Sequence, residues 1–280
     1  MRTAPAEEAL TAGSTTTKLL LIEERTRSSR LARALLGVIG LAVLTFLWWI
    51  GTNLLPAPGS FVRNFSPTSA FASAGQLLVS SDLPIHVYVS LKRILVGLAL
   101  ALLIGVPTGL AVGSLRWLEA ATTPAFQFLR MISPLSWMPI AVMAFATWDG
   151  AIVFLIAVAA VWPILFSTAA GLRRVDPSWF KVARNLGARP WHMLFVIILP
   201  AISQDILTGI RLALGVAWIV LVPAEYLGVT SGLGYSINDA RDTLEYDRLA
   251  ATVVIIGVIG FLLDFACQQA ISKLSWHRED

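Results

Sequence analysis

The sequence predicts an all-α integral membrane protein with six transmembrane helices and both chain ends in the cytoplasm. Three observations carry that prediction. Apolar residues make up 56% of the 280 positions, and mean hydropathy is +0.74. Charged residues reach only 14%, against about 25% in soluble domains. Several apolar runs attain the roughly 20 residues that a helix needs to cross a ~30 Å hydrocarbon core.

Taken in order, residues 1–30 are polar and mixed in charge. They read as a flexible cytoplasmic tail, with a short helix expected near "LLLIEER". The membrane domain is expected over 31–275. Its first span, 31–50, ends in Trp48-Trp49, a pair suited to anchoring at headgroups. Residues 52–87 are rich in Pro, Gly and Ser and form a long loop with a short interfacial helix around 68–80. The second span, 89–112, carries Gly105, Gly109 and, just beyond it, Gly113, a spacing that lets helices approach closely. The third, 118–146, is interrupted at "ISPLSWMP". The fourth covers 150–171, the fifth 201–223 and the sixth 249–271.

Orientation follows from Lys and Arg in the connecting segments. With six spans, fourteen of these residues fall on the side of the tail, the 113–118 loop, the 172–192 segment and the C-terminus. Three fall on the other side: Arg63, Arg241 and Arg248. That placement points to a membrane, not to nucleic acid. Lys92 and Arg93 lie near the outer end of the second span, where they are expected to snorkel outward or face a polar cavity. Cys267 is the one cysteine, so an internal disulfide is excluded; it is expected to be buried.

One segment departs from the apolar pattern. Asp176-Pro177 has the form of a helix start, an N-cap followed by Pro at the first helical position. Trp179, Phe180, Ala183 and Leu186 then recur on one face, with Lys181, Arg184 and Asn185 on the other. Gly187 is placed to end the helix, and Arg189-Pro190-Trp191 begins a second element that Leu199-Pro200 interrupts. A basic two-faced helix suits either anionic headgroups or a groove on a partner protein.

This segment resembles the cytoplasmic coupling loop of ATP-binding-cassette importer permeases. Ala183, Gly187, Ala188 and Pro200 stand in register with that family's pattern, while Lys181 replaces the usual Glu and Val182 the first Ala. "SLKRILVGLALALLIGVPTGLAVG", "ISPLSWMPI", "TGIRLALGVAWIVLVPAEYL" and "SGLGYSINDARD" are similar to the branch importing nitrate, bicarbonate, taurine and alkanesulfonates. "ISPLSWMPI" and Trp162-Pro163 lie nearer the nitrate and bicarbonate members. The resemblance implies a homodimer of this chain in the bacterial inner membrane, with two cytoplasmic ATPase subunits and a periplasmic or lipid-anchored binding protein. The cargo is expected to be a small oxyanion, nitrate first, then nitrite or bicarbonate, with taurine or alkanesulfonates as the alternative. ATPase coupling is assigned to Trp179, Phe180, Lys181, Val182, Ala183, Arg184, Asn185, Leu186, Gly187, Ala188 and Arg189.

No enzymatic activity is expected of the chain. It lacks a Gly-rich GxxxxGK[ST] loop, so ATP and Mg belong to the partner, and no cofactor or metal is expected here. Neither His-Glu-x-x-His nor Gly-x-Ser-x-Gly occurs in the spans. A self-contained secondary transporter or channel is the alternative from another class; it would normally need internal repeats or intramembrane coupling residues, and no convincing repeat relates the two halves. Charges inside spans mark pathways by default. Arg130 and Arg211 are therefore candidate oxyanion contacts, unless they pair with Glu225, Asp205 or Asp264. Ser133, Trp137, Trp218 and Glu225 complete the expected path and its gates.

Overall fold

The computed structural model describes residue 32 and residues 35–57, 59–79 and 82–276; the tail and its "LLLIEER" stretch lie outside them. Every regular element among the described residues is helical. Two compact units are present, residues 1–68 and 69–280. In the first, α1 (Leu35–Leu54) carries outward-facing apolar side chains along almost its whole length, as a lipid-exposed span requires. Its last turn is π-helical, closed by Leu55 N–H donating to the Ile50 carbonyl at 3.1 Å.

The second unit contains most of α2 (Pro67–Val79), which matches the expected interfacial helix. There follow α3 (Asp82–Ser114), α4 (Arg116–Met131), α5 (Met138–Ala144) and α6 (Trp148–Arg174). Next is α7 (Pro177–Asn185). A helical run then joins α8 (Pro190–His192) to α9 (Leu199–Ala201) through a π-helical stretch, Met193–Ile198. The unit ends with α10 (Ser203–Tyr226), α11 (Leu233–Asp242) and α12 (Tyr246–Trp276).

Five of the described helices are long and apolar enough to cross a membrane: α1, α3, α6, α10 and α12. The expected third span is not a single helix. It consists of α4, a 3-10 turn over Pro134–Trp137, and the seven-residue α5. Pro134 and Pro139 remove backbone donors, and Ile132 and Ser133 adopt extended dihedrals. Topology nevertheless requires this segment to traverse the bundle. Gly97 faces Ile156, Gly105 faces Ile164 and Gly113 faces Ala169, so α3 and α6 run parallel. Residues 115–147 must therefore return the chain from the Ser114 end to the Trp148 end.

The α3–α6 contact is close because of those glycines. A Cβ on Gly109 would sit 2.6 Å from the Leu165 carbonyl, and one on Gly113 3.0 Å from the Ala169 carbonyl. Small residues at four-residue spacing let the two backbones touch. On its other side α6 packs against the antiparallel α10, where Gly209 meets Ile164 and Ser167. Ile94, Ile152, Leu155, Ile156 and Leu221 fill the largest apolar cluster between these three helices. Cys267 on α12 is half-buried, less enclosed than expected.

Candidate functional site

The basic segment folds as its sequence dictates. The Asp176 side chain accepts a hydrogen bond from Ser178 N–H at 2.8 Å, and Pro177 occupies the first helical position. That backbone N–H holds the Asp176 carboxyl below the usual carboxylate range, aided by the Ser178 hydroxyl. At the other end, Gly187 has φ +75°, Gly187 N–H donates to the Arg184 carbonyl and Ala188 N–H to the Ala183 carbonyl. Together these bonds are a Schellman motif, which needs glycine at the left-handed position.

The expected faces of α7 need correction. Ala183 is buried and Phe180 half-buried, but Trp179 and Leu186 are not packed down with them. Trp179 is 54% exposed, Leu186 82%, and Val182, placed outside the apolar stripe, joins them on the open side. Trp191 and Phe195 stack at 6.0 Å just beyond and are also exposed. Lys181, Arg184 and Arg189 are exposed, as are Asn185 and Gly187; Ala188 is half-buried. The short helix thus presents apolar and cationic groups together.

Arg130, in the last turn of α4, lies over the Phe166 ring, 5.2 Å from its centroid. Both residues line a cleft of about 510 Å³ with Trp162, Pro163, Ser167 and Pro134. No carboxylate pairs with Arg130 among the described residues. Arg211 differs: its guanidinium grips Asp264 on α12 through two hydrogen bonds of 2.9 and 2.8 Å. Asp205 is held by Arg174 at 2.6 Å. Ser133 precedes the 3-10 turn, and its carbonyl accepts from Ser136 N–H at 2.9 Å. Trp137 and Trp218 both pack on the largest apolar cluster.

Near the Trp148 end of α6 lies a buried polar cluster. Arg93, only 3% exposed, neither snorkels nor faces open space. It donates to Glu225 at 2.6 Å, to Asp149 through Nε at 3.0 Å and to the Ser231 carbonyl at 2.8 Å. Glu225 is fully buried and accepts from the Ser90 hydroxyl at 2.8 Å and from Gly234 N–H at 3.0 Å. Ser90 Oγ also accepts from Leu233 N–H, and His86 Nδ1 from Gly232 N–H at 3.0 Å. The first backbone donors of α11 are thus capped by side chains of α3 and α10, where an ordinary helix uses its own N-cap. Glycine is required at 232, where φ is +118° and a Cβ would meet the Glu225 carboxylate at 2.5 Å.

Residues 101–273 match the family described as binding-protein-dependent transport system inner membrane component. The chain belongs to that family. Among its relatives is the bicarbonate transport system permease of Synechococcus elongatus, 41% identical over 62% of this chain. That match spans 63% of the relative's length. The taurine transport system permease of Escherichia coli is 32% identical over 93% of this chain and 98% of its own. The nitrate import permease of a Synechocystis species is 32% identical over 81% and 84%. In fold, the chain is similar to a chain of the inward-facing MetNI methionine ABC transporter, with TM-score 0.56 and 16% identity over 68% of this chain and 95% of that one. By the family match and these permease relatives, the chain is an inner-membrane permease subunit of a binding-protein-dependent importer and not itself an enzyme.

Sequence reasoning located α7, Arg130, Arg211 and Glu225 and offered Asp264 as a partner for Arg211, but missed what surrounds the other sites. Phe166 and Ser167, which wall the Arg130 cleft, carry no local signal beyond their neighbours Trp162-Pro163. The Ser90–Arg93–Asp149 part of the permease's buried cluster was flagged only by a charged residue inside an apolar run. Arg93 also lies ahead of the family match, which begins at residue 101.

Proposed function

We propose that this permease carries a small oxyanion, nitrate first among them, along a path formed by two copies of the chain and driven by two ATPase subunits docked on α7. Both termini then lie in the cytoplasm, in line with the Lys and Arg asymmetry. The binding protein delivers cargo on the opposite side, where α11 and its acidic loop emerge. The observation that carries the docking part is the exposure of Trp179, Val182 and Leu186 beside Lys181 and Arg184 on a helix capped at both ends. Such a helix is preorganised for a groove on a partner.

For the cargo, the supporting feature is Arg130 in its aromatic cleft. A guanidinium offers a planar fork of donors that matches a trigonal oxyanion in two places. The nitrate and bicarbonate relatives carry anions of that shape by their names. Taurine or an alkanesulfonate is the second reading, favoured by the near full-length match to the taurine permease. Arg211 is not assigned to the path, because Asp264 occupies its donor fork.

The test is reconstitution of the chain with its ATPase and binding protein in proteoliposomes. ATP-dependent uptake of labelled nitrate, bicarbonate and taurine is compared for wild type, R130Q and Gly187→Trp. We expect nitrate uptake that R130Q lowers at least tenfold, and an assembly that Gly187→Trp abolishes while the chain still inserts. Uptake by the chain alone without ATP, or ATPase capture unchanged by Gly187→Trp, overturns the reading. Taurine uptake with no nitrate uptake moves the cargo to the second class.

A further inference from the structure

We infer that Arg93 is a positioning residue of the transport cycle. It ties the turn between α10 and α11 to the helix pair α3–α6, so that motion of the ATPase-docking end reaches the opposite face of the bundle. The inference rests on the docking of the ATPase at α7 proposed above.

Three observations place Arg93 in that role. First, α6 is continuous for 27 residues, from the Thr147 cap to Arg174, about 40 Å at 1.5 Å per residue. Its inner end leads through Val175 and Asp176 directly into α7, and its other end carries Asp149. Second, α3 and α6 touch along the glycine stripe, where Gly109 leaves no room for even a methyl group and Gly113 is packed tightly against Ala169. Packed surfaces of that kind move together because they are not continuously deformable. Third, His86 and Ser90 also tie α3 to the turn, but Arg93 is the side chain among the described residues that hydrogen-bonds α6, α10 and the turn at once. One of its amino groups, Nη1, bonds both Glu225 of α10 and the Ser231 carbonyl, while Nε and the other amino group, Nη2, hold Asp149.

The turn supplies no polar side chain that comparably anchors its own backbone. Leu227 and Thr230 are exposed, and Gly232 as N-cap supplies no side chain to α11. Val229 packs on the apolar cluster and Gly228 lies against Trp148 of α6, while the polar contacts that hold residues 231–234 come from His86, Ser90, Arg93 and Glu225. A lysine at 93 could meet one carboxylate but lacks the planar fork that meets two carboxylates and a carbonyl together. The assignment therefore concerns geometry of the guanidinium as well as its charge. Packing intermediacy alone does not establish coupling; a response of the turn to the remote ligand does.

The measurement is amide hydrogen exchange over residues 227–234 in the assembled transporter in nanodiscs, with and without ATP. In wild type, ATP is expected to change exchange in that turn at least threefold. In R93Q the turn should exchange about tenfold faster and no longer respond to ATP, while ATPase co-purification and basal hydrolysis stay at wild-type levels. R93K should restore part of the protection. Asp149→Asn, at a side chain 60% exposed, keeps the Glu225 pair and should reduce the ATP response while leaving the turn ordered. If R93Q does not assemble, Asp149→Asn decides the question alone. A wild-type ATP response in R93Q, or in Asp149→Asn where R93Q fails to assemble, overturns the inference. A wild-type complex that captures no ATPase overturns the docking reading and the inference with it, whereas normal capture with an unchanged turn overturns the inference only.

Discussion

The helix α7 and the Arg93 cluster break the same rule in opposite directions. In α7, large apolar side chains stand in the open on a short cationic helix. In the cluster, an arginine and a glutamate are enclosed in an otherwise apolar bundle. The stability of α7 comes from its caps, and its exposed side chains contribute little to holding it together. The cluster is the reverse: apart from the Gly234–Glu225 bond, its hydrogen bonds join elements distant in sequence. An exposed apolar surface awaits a partner, whereas a buried ion pair already has its partners, and removing one leaves an uncompensated charge.

The largest expected effect comes from breaking the enclosed pair. Glu225→Ala leaves Arg93 buried with Asp149 as its remaining carboxylate, and about 3–5 kcal/mol of stability should be lost. Thermal unfolding of the purified chain in detergent measures it. Next is Gly109→Leu, which drives a side chain into the Leu165 carbonyl at the α3–α6 contact. Overpacking of that kind costs roughly 1–3 kcal/mol or more, and yield and melting temperature should fall together. A smaller loss, about 1–2 kcal/mol within α7, is expected for Gly187→Ala, because a Cβ at φ +75° is strained. Exchange protection of α7 amides reads this loss directly.

At the small end the comparison sharpens. Leu186→Ser should leave the melting temperature within experimental error, since surface changes usually fall within ±0.5 kcal/mol. It should nevertheless weaken ATPase capture; equal capture would mean that the open apolar side of α7 is not a contact surface. Asp176→Ala should fray the first turn of α7, and Asp176→Asn should largely preserve it, because both Asp and Asn cap well. The Asp176 carboxyl titrates below its unfolded value, so its stabilising effect is present above the unfolded pKa, 3.8, and is lost as pH falls through the lower folded value. Protection of α7 amides measured between pH 6 and pH 3 should follow that direction.

Much of the molecule was readable in one dimension. The long helices announce themselves by apolar length, and α7 by Asp-Pro at one end and Gly at the other, because these signals are local. The spacing of Gly105, Gly109 and Gly113 foretold a close helix contact, though not that α6 would fill it. What stayed hidden depends on pairing across the chain. Arg93 finds Asp149 56 residues later and Glu225 132 residues later. For Arg211 the sequence offered Glu225, Asp205 and Asp264 as acids, and the fold selects Asp264, 53 residues on. No periodicity encodes such partners. The outward turn of Trp179 and Leu186 was missed for a related reason: a helical stripe shows which residues share a face, not whether that face is covered.

The buried cluster also bears on how the protein is made. A chain entering the bilayer in order delivers α3 before α6 and α10, so Arg93 arrives in the membrane region ahead of both carboxylates. A lone guanidinium at that depth is disfavoured, and the one acid in the α3 sequence, Asp82, stands eleven positions before it. Newly synthesised α3 must therefore stay near the insertion machinery, or sit displaced toward the surface, until Asp149 and then Glu225 are synthesised. Truncations that stop before α6 would strand that charge, and the cell's quality control would see them as unfinished.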